Sequence, residues 1–564
     1  MTDWNTRNRG YKGNEILSSV QADFRHIRNG NFLINGSQYS IGNDYSGMKG
    51  AIGGKWRQKG FDAFYEASYL KSKATDYNSE FLRHKIDLSQ SVKFLKFGIK
   101  DEYERNLFRD SSGLKSNSYQ FFDYEAYISS ADTGKNSYRV FFRERYDQIS
   151  NLTELTSLTK AQNFGTEFLM NSVKNQRLNI ILNYRQLKIE DTLLTSQTPE
   201  NTLLGRLDYE IKLFKSAFTW NTFYEVGSGL EQKQLFQYIK VADGQGVYTW
   251  VDYNGDGVKD LNEFEIAQYQ DQASYIRVYV RSNEYTRTYS NEFNQTITLR
   301  PERIWNNKQG IKKLLSRFSD QARFRIYRKT NQMDQTSFNP FATEVRDTSL
   351  VSTNSTIRNS FYFNRTNSVF GCEYTFQDIR SKSLLANGFD ARTNVSHEFN
   401  FHLNIKRVFN LEGVFQRGNK SVEADYTSGR NYDYDYYMVK PSLSYQPSTS
   451  FRLTYETRIS SKLNVTSEKA VIQEYGMKVK YNRSEKGSFQ AAFAYVKIKF
   501  NGEANSSLGY EMLESLKAGN NFTWSAGYQH SISKNLQLSI QYSARKTEGN
   551  KIIHTGGMEV RAFF

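Results

Sequence analysis

The chain has 564 residues, a net charge of +16 with a pI near 9.3, a mean hydropathy of −0.70 and a single cysteine. No apolar run approaches the roughly 18 residues that a membrane-crossing helix needs, so a helical membrane protein is excluded, and one cysteine excludes an internal disulfide. The charge does not read as a nucleic-acid footprint, because the basic residues are spread through alternating segments with no basic run or aromatic RNA-binding motif beside them.

Aromatic content is the more informative part of the composition. Tyr 39 and Phe 40 stand against Trp 6 and Pro 5, a balance suited to long β-strands and poor for an array of small sandwiches with many turn and edge prolines. The N-terminal segment, 1–44, has no apolar stretch and no cleavage site of a secretory signal. It reads as an interior loop and partial strand of a longer protein.

From about Tyr45 the sequence repeats one unit: a strand of alternating polarity, a tight turn, a second strand, and a longer polar loop. In the segment around Arg139, Arg143 and Arg145, the residues Tyr138, Val140, Phe142 and Tyr146 fall on the opposite face. Asp132–Lys135, Pro447–Thr449 and Ser533–Asn535 read as tight turns. Ser216 to Val226 reads as a strand, and Tyr285 to Leu299 as the next. The long connection between them, 227–283, is expected on the side of the longer loops.

This connection holds the sequence's one chemical constellation. Asp252, Asn254, Asp256, Gly257, Val258, Asp260 and Glu263 fit D-x-[DN]-x-[DN]-G-x5-E, the spacing by which a looped chain wraps a hard cation in oxygens. Side-chain oxygens would come from Asp252, Asn254 and Asp256, a carbonyl from Val258, a direct or water-mediated contact from Asp260, and two oxygens from Glu263. The entering stretch Gly246–Val251 reads as a strand and position 259 is Lys, so the pattern is similar to the DxDxDG calcium loops of extracellular repeats and dockerins. That implies a structural Ca2+. The plain alternative is an acidic, solvated turn.

Farther along, Pro301 to Arg317 sets Ile304, Ile311, Leu314 and Leu315 at helical spacing, which predicts one short amphipathic helix in place of a turn. Cys372 shares the register of Phe370, Tyr374 and Phe376 and reads as a small apolar residue on a strand face. Clean hairpins follow, such as Tyr475, Met477, Val479 and Tyr481 turning into Phe489, Ala491, Phe493 and Tyr495. Counting them gives about 22–24 strands, in the even-numbered range of large single-chain barrels.

The last strand places Met558, Val560, Ala562 and Phe564 on one face with Glu559 and Arg561 between. A final alternating strand closing on Phe resembles the assembly signal of Gram-negative outer-membrane β-barrels. The strand number resembles that of TonB-dependent transporters, and the whole resembles a conserved surface barrel of that membrane. The resemblance covers 45–564 and implies an all-β fold, a large antiparallel transmembrane β-barrel with short periplasmic turns, longer extracellular loops and Phe564 at the periplasmic rim. It further implies location in the cell outer membrane, lipid as a partner, an upstream plug or periplasmic domain, and a non-catalytic role in transport, translocation or surface scaffolding. No nucleophile motif, phosphate loop or paired-histidine metal spacing stands out. A secreted soluble all-β binding protein and a membrane-embedded hydrolase are the alternatives.

Overall fold

The structure is a computed structural model. It describes every residue except 1–3, 7–12, 27–28, 132–135, 196–198, 254, 333–334, 343–348, 386–387, 426–427, 484–485, 534 and 563–564. Phe564, expected at a rim, the turn expected at 132–135 and the expected ligand Asn254 therefore lie outside the described residues, as does the middle of the 533–535 turn.

Alternation of bulky and polar residues produces strands throughout, because a pleated backbone sends successive side chains to opposite faces. Among the described residues, twenty-eight strands join in one antiparallel sheet, and successive strands pair as hairpins. The all-β, antiparallel sheet expected from the sequence is present. Three strands are stubs, Gly113–Leu114, Tyr248–Trp250 and Phe264–Ile266, which leaves 25 long ones. The excess over the expected count comes from residues 15–41. They form a complete hairpin, Glu15–His26 with Gly30–Ile41, where the sequence suggested only a partial strand.

By contacts the chain divides into two units, Met1–Glu210 with Phe223–Ser228, and Ile211–Thr222 with Gly229–Phe564. In the first, Lys59 and Gly60 make a two-residue turn with φ of +49° and +82°, joining Tyr45–Gln58 to Phe61–Ala74. Two positive φ values match the twist of the paired strands, and this is why glycine stands there. One face of this unit carries Phe122, Tyr124, Phe142 and Phe164 in a row, with centroids 5.9, 6.4 and 4.8 Å apart. The other face is ion-paired: Arg143 Nε donates to Asp123 Oδ1 at 2.8 Å, and Arg145 lies 3.7 Å from the same carboxylate. Beside Ile41, Tyr45, Tyr77 and Phe108, the buried Asn5 side chain donates to Ser79 Oγ at 3.0 Å and Asn106 Oδ1 at 2.8 Å.

In the second unit, the tight connections 406–408 and 446–450 share their strand ends with the longer 300–317, and the longer 241–274 and 501–518 share the opposite ends with the short 465–468. Two expectations need correction. The strands flanking the long connection run further than expected, Phe218–Lys240 and Tyr275–Leu299, so its irregular part is 241–274. The helix expected over 301–317 is two short ones, Glu302–Trp305 and Ile311–Leu315, because Gly310 at φ +63° turns the chain between them. Cys372 lies on the strand Phe370–Leu385, half-buried and unpaired, on the face of Phe370 and Tyr374.

The ion-paired face of the first unit sets a testable difference. Asp123, with a side chain 5% exposed, holds two guanidinium groups, whereas Asp208, 36% exposed, holds Arg206 in the open. Asp123→Ala is expected to lower unfolding stability by on the order of 2 kcal/mol, and Asp208→Ala by about 0.5 kcal/mol or less, as read from denaturant midpoints. Equal losses would show that the buried pair is no more than surface decoration.

Candidate functional site

The connection 241–274 folds back on itself. Tyr248–Trp250 pairs antiparallel with Phe264–Ile266, and Tyr248 also meets Tyr275. The acidic segment is the tip of this small hairpin. Gly255 and Gly257 have φ of +75° and +72°, and a Cβ added at either would meet nothing within 4 Å, so backbone conformation and not crowding calls for glycine. The Asp252 carboxylate accepts from the Gly255 N–H at 2.7 Å and the Gly257 N–H at 3.0 Å, and Asp256 Oδ1 accepts from the Val258 N–H at 2.7 Å.

Glu263 behaves differently. It is 1% exposed, its Oε2 accepts from Trp250 Nε1 at 2.8 Å, and its Oε1 accepts from the Tyr253 N–H at 3.3 Å. Lys259 does not neutralise the acidic tip. Its ammonium lies over the rings of Trp250 and Tyr275, 5.5 and 5.8 Å from their centroids. Val258 is exposed, and Asp260 passes its carbonyl to the Glu263 N–H at 3.1 Å. The donors are the hard oxygens that calcium takes. Yet among the described residues no three acidic, His or Cys side chains are grouped to hold a metal ion, because Glu263 is turned into the stem.

The stem is seated on distant parts of the same unit. Phe264 stacks on Tyr238 at 4.0 Å and meets Tyr275 edge-on at 5.0 Å. Glu265 Oε1 accepts from Ser507 Oγ at 2.8 Å and from Tyr253 Oη at 3.1 Å, and Arg430, 7% exposed, lies 3.7 Å from Oε2. Burial and then the Glu265 charge push the Tyr253 hydroxyl pKa well up, so it stays a donor. Asn505 Nδ2 donates to the carbonyls of Asp252 and Tyr253, each at 3.2 Å, and Tyr510 Oη donates to the Ile266 carbonyl at 3.1 Å.

Those contacts come largely from the connection 501–518. Its helix, Ser507–Leu513, starts at Ser506, whose Oγ accepts from the Gly509 N–H at 3.0 Å, and ends at Glu514 in left-handed conformation. Leu513 and Leu516 pack on Ile472, Val496 and Ile498, with Tyr269 of the first connection alongside. Charge pins the same helix: Arg458 donates to both Glu514 oxygens at 3.0 and 2.8 Å, and Lys462 Nζ donates to Glu514 Oε1 at 3.0 Å and to the Glu511 carbonyl at 3.1 Å. A third anchor joins Arg545 to Asp271, with the guanidinium 4.5 Å from the Tyr269 ring centroid. Beneath Tyr269 and Asp271 lies a cavity of about 310 Å³, walled by Glu456, Glu474 and Lys478. A larger trough of about 830 Å³, lined by Arg452, Lys478, Lys480, Gln490 and Gln541, shares part of that wall.

Sequence reasoning found the acidic tip and missed its seat. Arg430, Asn505, Ser507 and Glu514 are separated from it by more than a hundred residues, and no motif links them. One signal was present: Ile472, Val496 and Ile498 put aliphatic side chains on the face that is polar elsewhere along the same strands, where Glu474, Lys478 and Gln490 stand.

No protein-family model matches the chain. No curated protein matches it. Among solved structures, it is similar to the open form of the ferric-catecholate import receptor Fiu of E. coli K12, at 9% identity and a TM-score of 0.29, over 95% of this chain and 77% of that one. The copper transporter OprC gives 10% identity and a TM-score of 0.34 over 99% and 81% of the two chains. BauA, the ferric preacinetobactin receptor of Acinetobacter baumannii, gives 7% and 0.32 over 97% and 79%. Likenesses this distant transfer no function.

Acid should open the seat. Burial raises the pKa of Glu514, but the hydrogen bonds and charges of Arg458 and Lys462 outweigh it and bring the carboxyl down to about 2, from an ordinary 4.5. A depressed carboxylate stabilises fully above its unfolded value and loses that contribution as pH falls through the folded one. Proteolysis of 501–518 by an acid-active protease is therefore expected to rise between about pH 4.5 and 2. Glu514→Gln should be cut at every pH tested, and an unchanged pH profile in that variant would remove Glu514 as the pin.

Proposed function

We propose that the chain forms the membrane-spanning barrel of an outer-membrane transport protein, non-catalytic, with its loop-side mouth covered by the connections 241–274 and 501–518. The observation that carries this reading is the outward face of the strands. On Lys469–Arg483, Tyr475, Met477 and Tyr481 are 40, 50 and 46% exposed and alternate with Glu474, Gly476 and Lys478. Neighbouring strands extend the same face through Phe489, Phe493, Tyr528, Ile540, Met558 and Val560. In water, a contiguous apolar sheet face this wide would drive aggregation, whereas acyl chains cover it at no such cost. The long strands also reach or exceed the 9–11 residues that span a bilayer when tilted.

A secreted soluble all-β protein would have to bury that face, and the strands' other face is the charged one, so this alternative lacks a layer to cover it. Transport suits the polar inner face and the cavity under Tyr269 and Asp271. An upstream plug domain as partner and the identity of the cargo belong to this proposal without residues of their own.

Calcium binding at Asp252, Asn254, Asp256, Val258, Asp260 and Glu263 is part of the same proposal. It is supported by the spacing, by the two left-handed glycines, and by the turn that brings the Gly257 amide back to Asp252. Binding would require Glu263 to exchange the Trp250 N–H for the ion, and so the indole is a built-in reporter. Millimolar calcium is expected to shift Trp emission of the unmutated chain and to leave Trp250→Phe silent at that wavelength, with magnesium far weaker. A flat titration of the unmutated chain would take calcium out of the proposal.

The membrane reading has its own tests. The folded chain extracted in detergent should migrate faster on SDS gels before boiling than after, and a soluble sandwich would not. Ile540→Arg, on the outward face, is expected to cost about 2–4 kcal/mol in vesicles if it lies near the midplane, and Gln541→Arg, on the inward face, close to nothing. Equal effects at the two positions would overturn the assignment of faces.

A further inference from the structure

The outward face of the last strands changes character toward the loop side. On Lys469–Arg483, Gly487–Phe500 and Gly519–Ser533, the residues Tyr475, Tyr495 and Phe522 pair in register, with ring centroids 6.4 and 5.3 Å apart. Level with this aromatic row at Lys546, and beyond it at the other positions, the same face turns basic. Lys497 stands between Gln473 and Asn520, Lys499 beside Val471, Lys546 beside Phe522, and Lys469 at the strand start beside Leu463. All four lysines are exposed. None forms an ion pair with a described residue. Two carboxylates at these strand ends are engaged by other groups: Glu548 Oε2 accepts from the Asn520 N–H at 2.6 Å, and Glu468 Oε2 accepts from Thr466 Oγ1 and Asn464 Nδ2.

The basic character is local. At the corresponding end of Tyr432–Tyr445 the outward positions are Asp433 and Asp435, both receiving hydrogen bonds from Asn419 Nδ2, at 2.7 and 3.1 Å. A rim that was merely solvated would have no reason to collect lysines on three of four consecutive strands and two aspartates elsewhere.

We infer that Lys469, Lys497, Lys499 and Lys546 form a binding surface for the phosphate groups of anionic lipid in the leaflet at the loop-side rim. This rests on the membrane-spanning reading of the chain. Aromatic rows of a barrel mark the headgroup level, so the next residues outward stand among lipid phosphates. A lysine stem lies along apolar and aromatic surface while its ammonium reaches the polar layer. With strands about 4.8 Å apart, the long side chains of Lys469 and Lys499 on adjacent strands can reach within about 10 Å of one another, a spacing that lets them share one phosphate-bearing headgroup.

The test uses the full chain in neutral detergent, with retention of phosphatidic acid or phosphatidylcholine read by native mass spectrometry. The unmutated chain is expected to retain phosphatidic acid over phosphatidylcholine, and Lys497→Gln/Lys499→Gln/Lys546→Gln to lose that retention by on the order of a hundredfold. Lys59→Gln/Lys93→Gln/Lys215→Gln, which neutralises exposed lysines at the tight-turn ends, is expected to bind as the unmutated chain does. Equal retention in the rim variant, or equal loss in both variants, would overturn the inference. Displacement of phosphatidic acid by soluble inorganic polyphosphate at equal phosphate concentration would also overturn it, by assigning the surface to a soluble polyanion. Heat-modifiable migration of the unmutated chain separates the two levels: if it persists while lipid retention fails, the lysine surface is wrong and the barrel stands.

Discussion

Everything in this chain depends on the lateral backbone hydrogen bond between antiparallel neighbours. In the ladder between Gly388–Ile405 and Phe409–Ala424, sixteen successive pairs run from Asp390 with Ala424 to Ile405 with Phe409 without a slip. Such a ladder satisfies N–H and C=O groups without water, the condition for crossing an apolar medium. It also fixes the face of every side chain, because a slip of one residue would move the whole apolar set to the other side. The one proline within a strand of the second unit shows the tolerance of the ladder. Pro441 has no N–H to give, and the pairing of Tyr432–Tyr445 with Phe451–Asn464 skips from Val439 to Ser442 around it.

Given the ladder, polarity is allotted by face, and the exceptions are informative. Ile472, Val496 and Ile498 are aliphatic on the inward face, and each is nearly fully buried because Leu513 and Leu516 come down on them. The connection 501–518 thus makes a small water-free layer inside a face that is otherwise polar. Arg458, Lys462 and Glu514 border that layer, so opposite charges meet where solvent screening is weak and removal of one partner leaves the other stranded. The hairpin of 241–274 is then held by Ser507, Asn505, Arg430 and Arg545, so the two connections behave as one cover.

The large positive charge is distributed in two ways. Inward-facing arginines and lysines are mostly matched, as in Arg143 with Asp123, Arg458 with Glu474 and Glu514, and Lys478 with Glu456 at 2.7 Å. Lysines beyond the aromatic row of the last strands have no such partner among the described residues. Matched charges fix geometry, and unmatched ones act at longer range.

The sequence alone determined the strands and their faces, because a period of two is a local property written in successive residues. Arg139, Arg143 and Arg145 opposite Val140 and Phe142, and Tyr475 with Met477 opposite Glu474, were legible in this way. It also marked the acidic spacing from Asp252 to Glu263, which is local too. It misjudged 15–41, where Gly, Ser and Asn dilute the alternation although the backbone pairs fully, and 301–317, where one left-handed glycine divides the helix. Only the tertiary structure decided that Glu263 turns inward to Trp250, that Lys259 lies on aromatic rings, and that Glu265 sits between Ser507 and Arg430. Those choices depend on groups brought together from opposite ends of the second unit, and no pattern of neighbouring residues encodes a contact closed over 242 positions, as between Ser507 and Glu265.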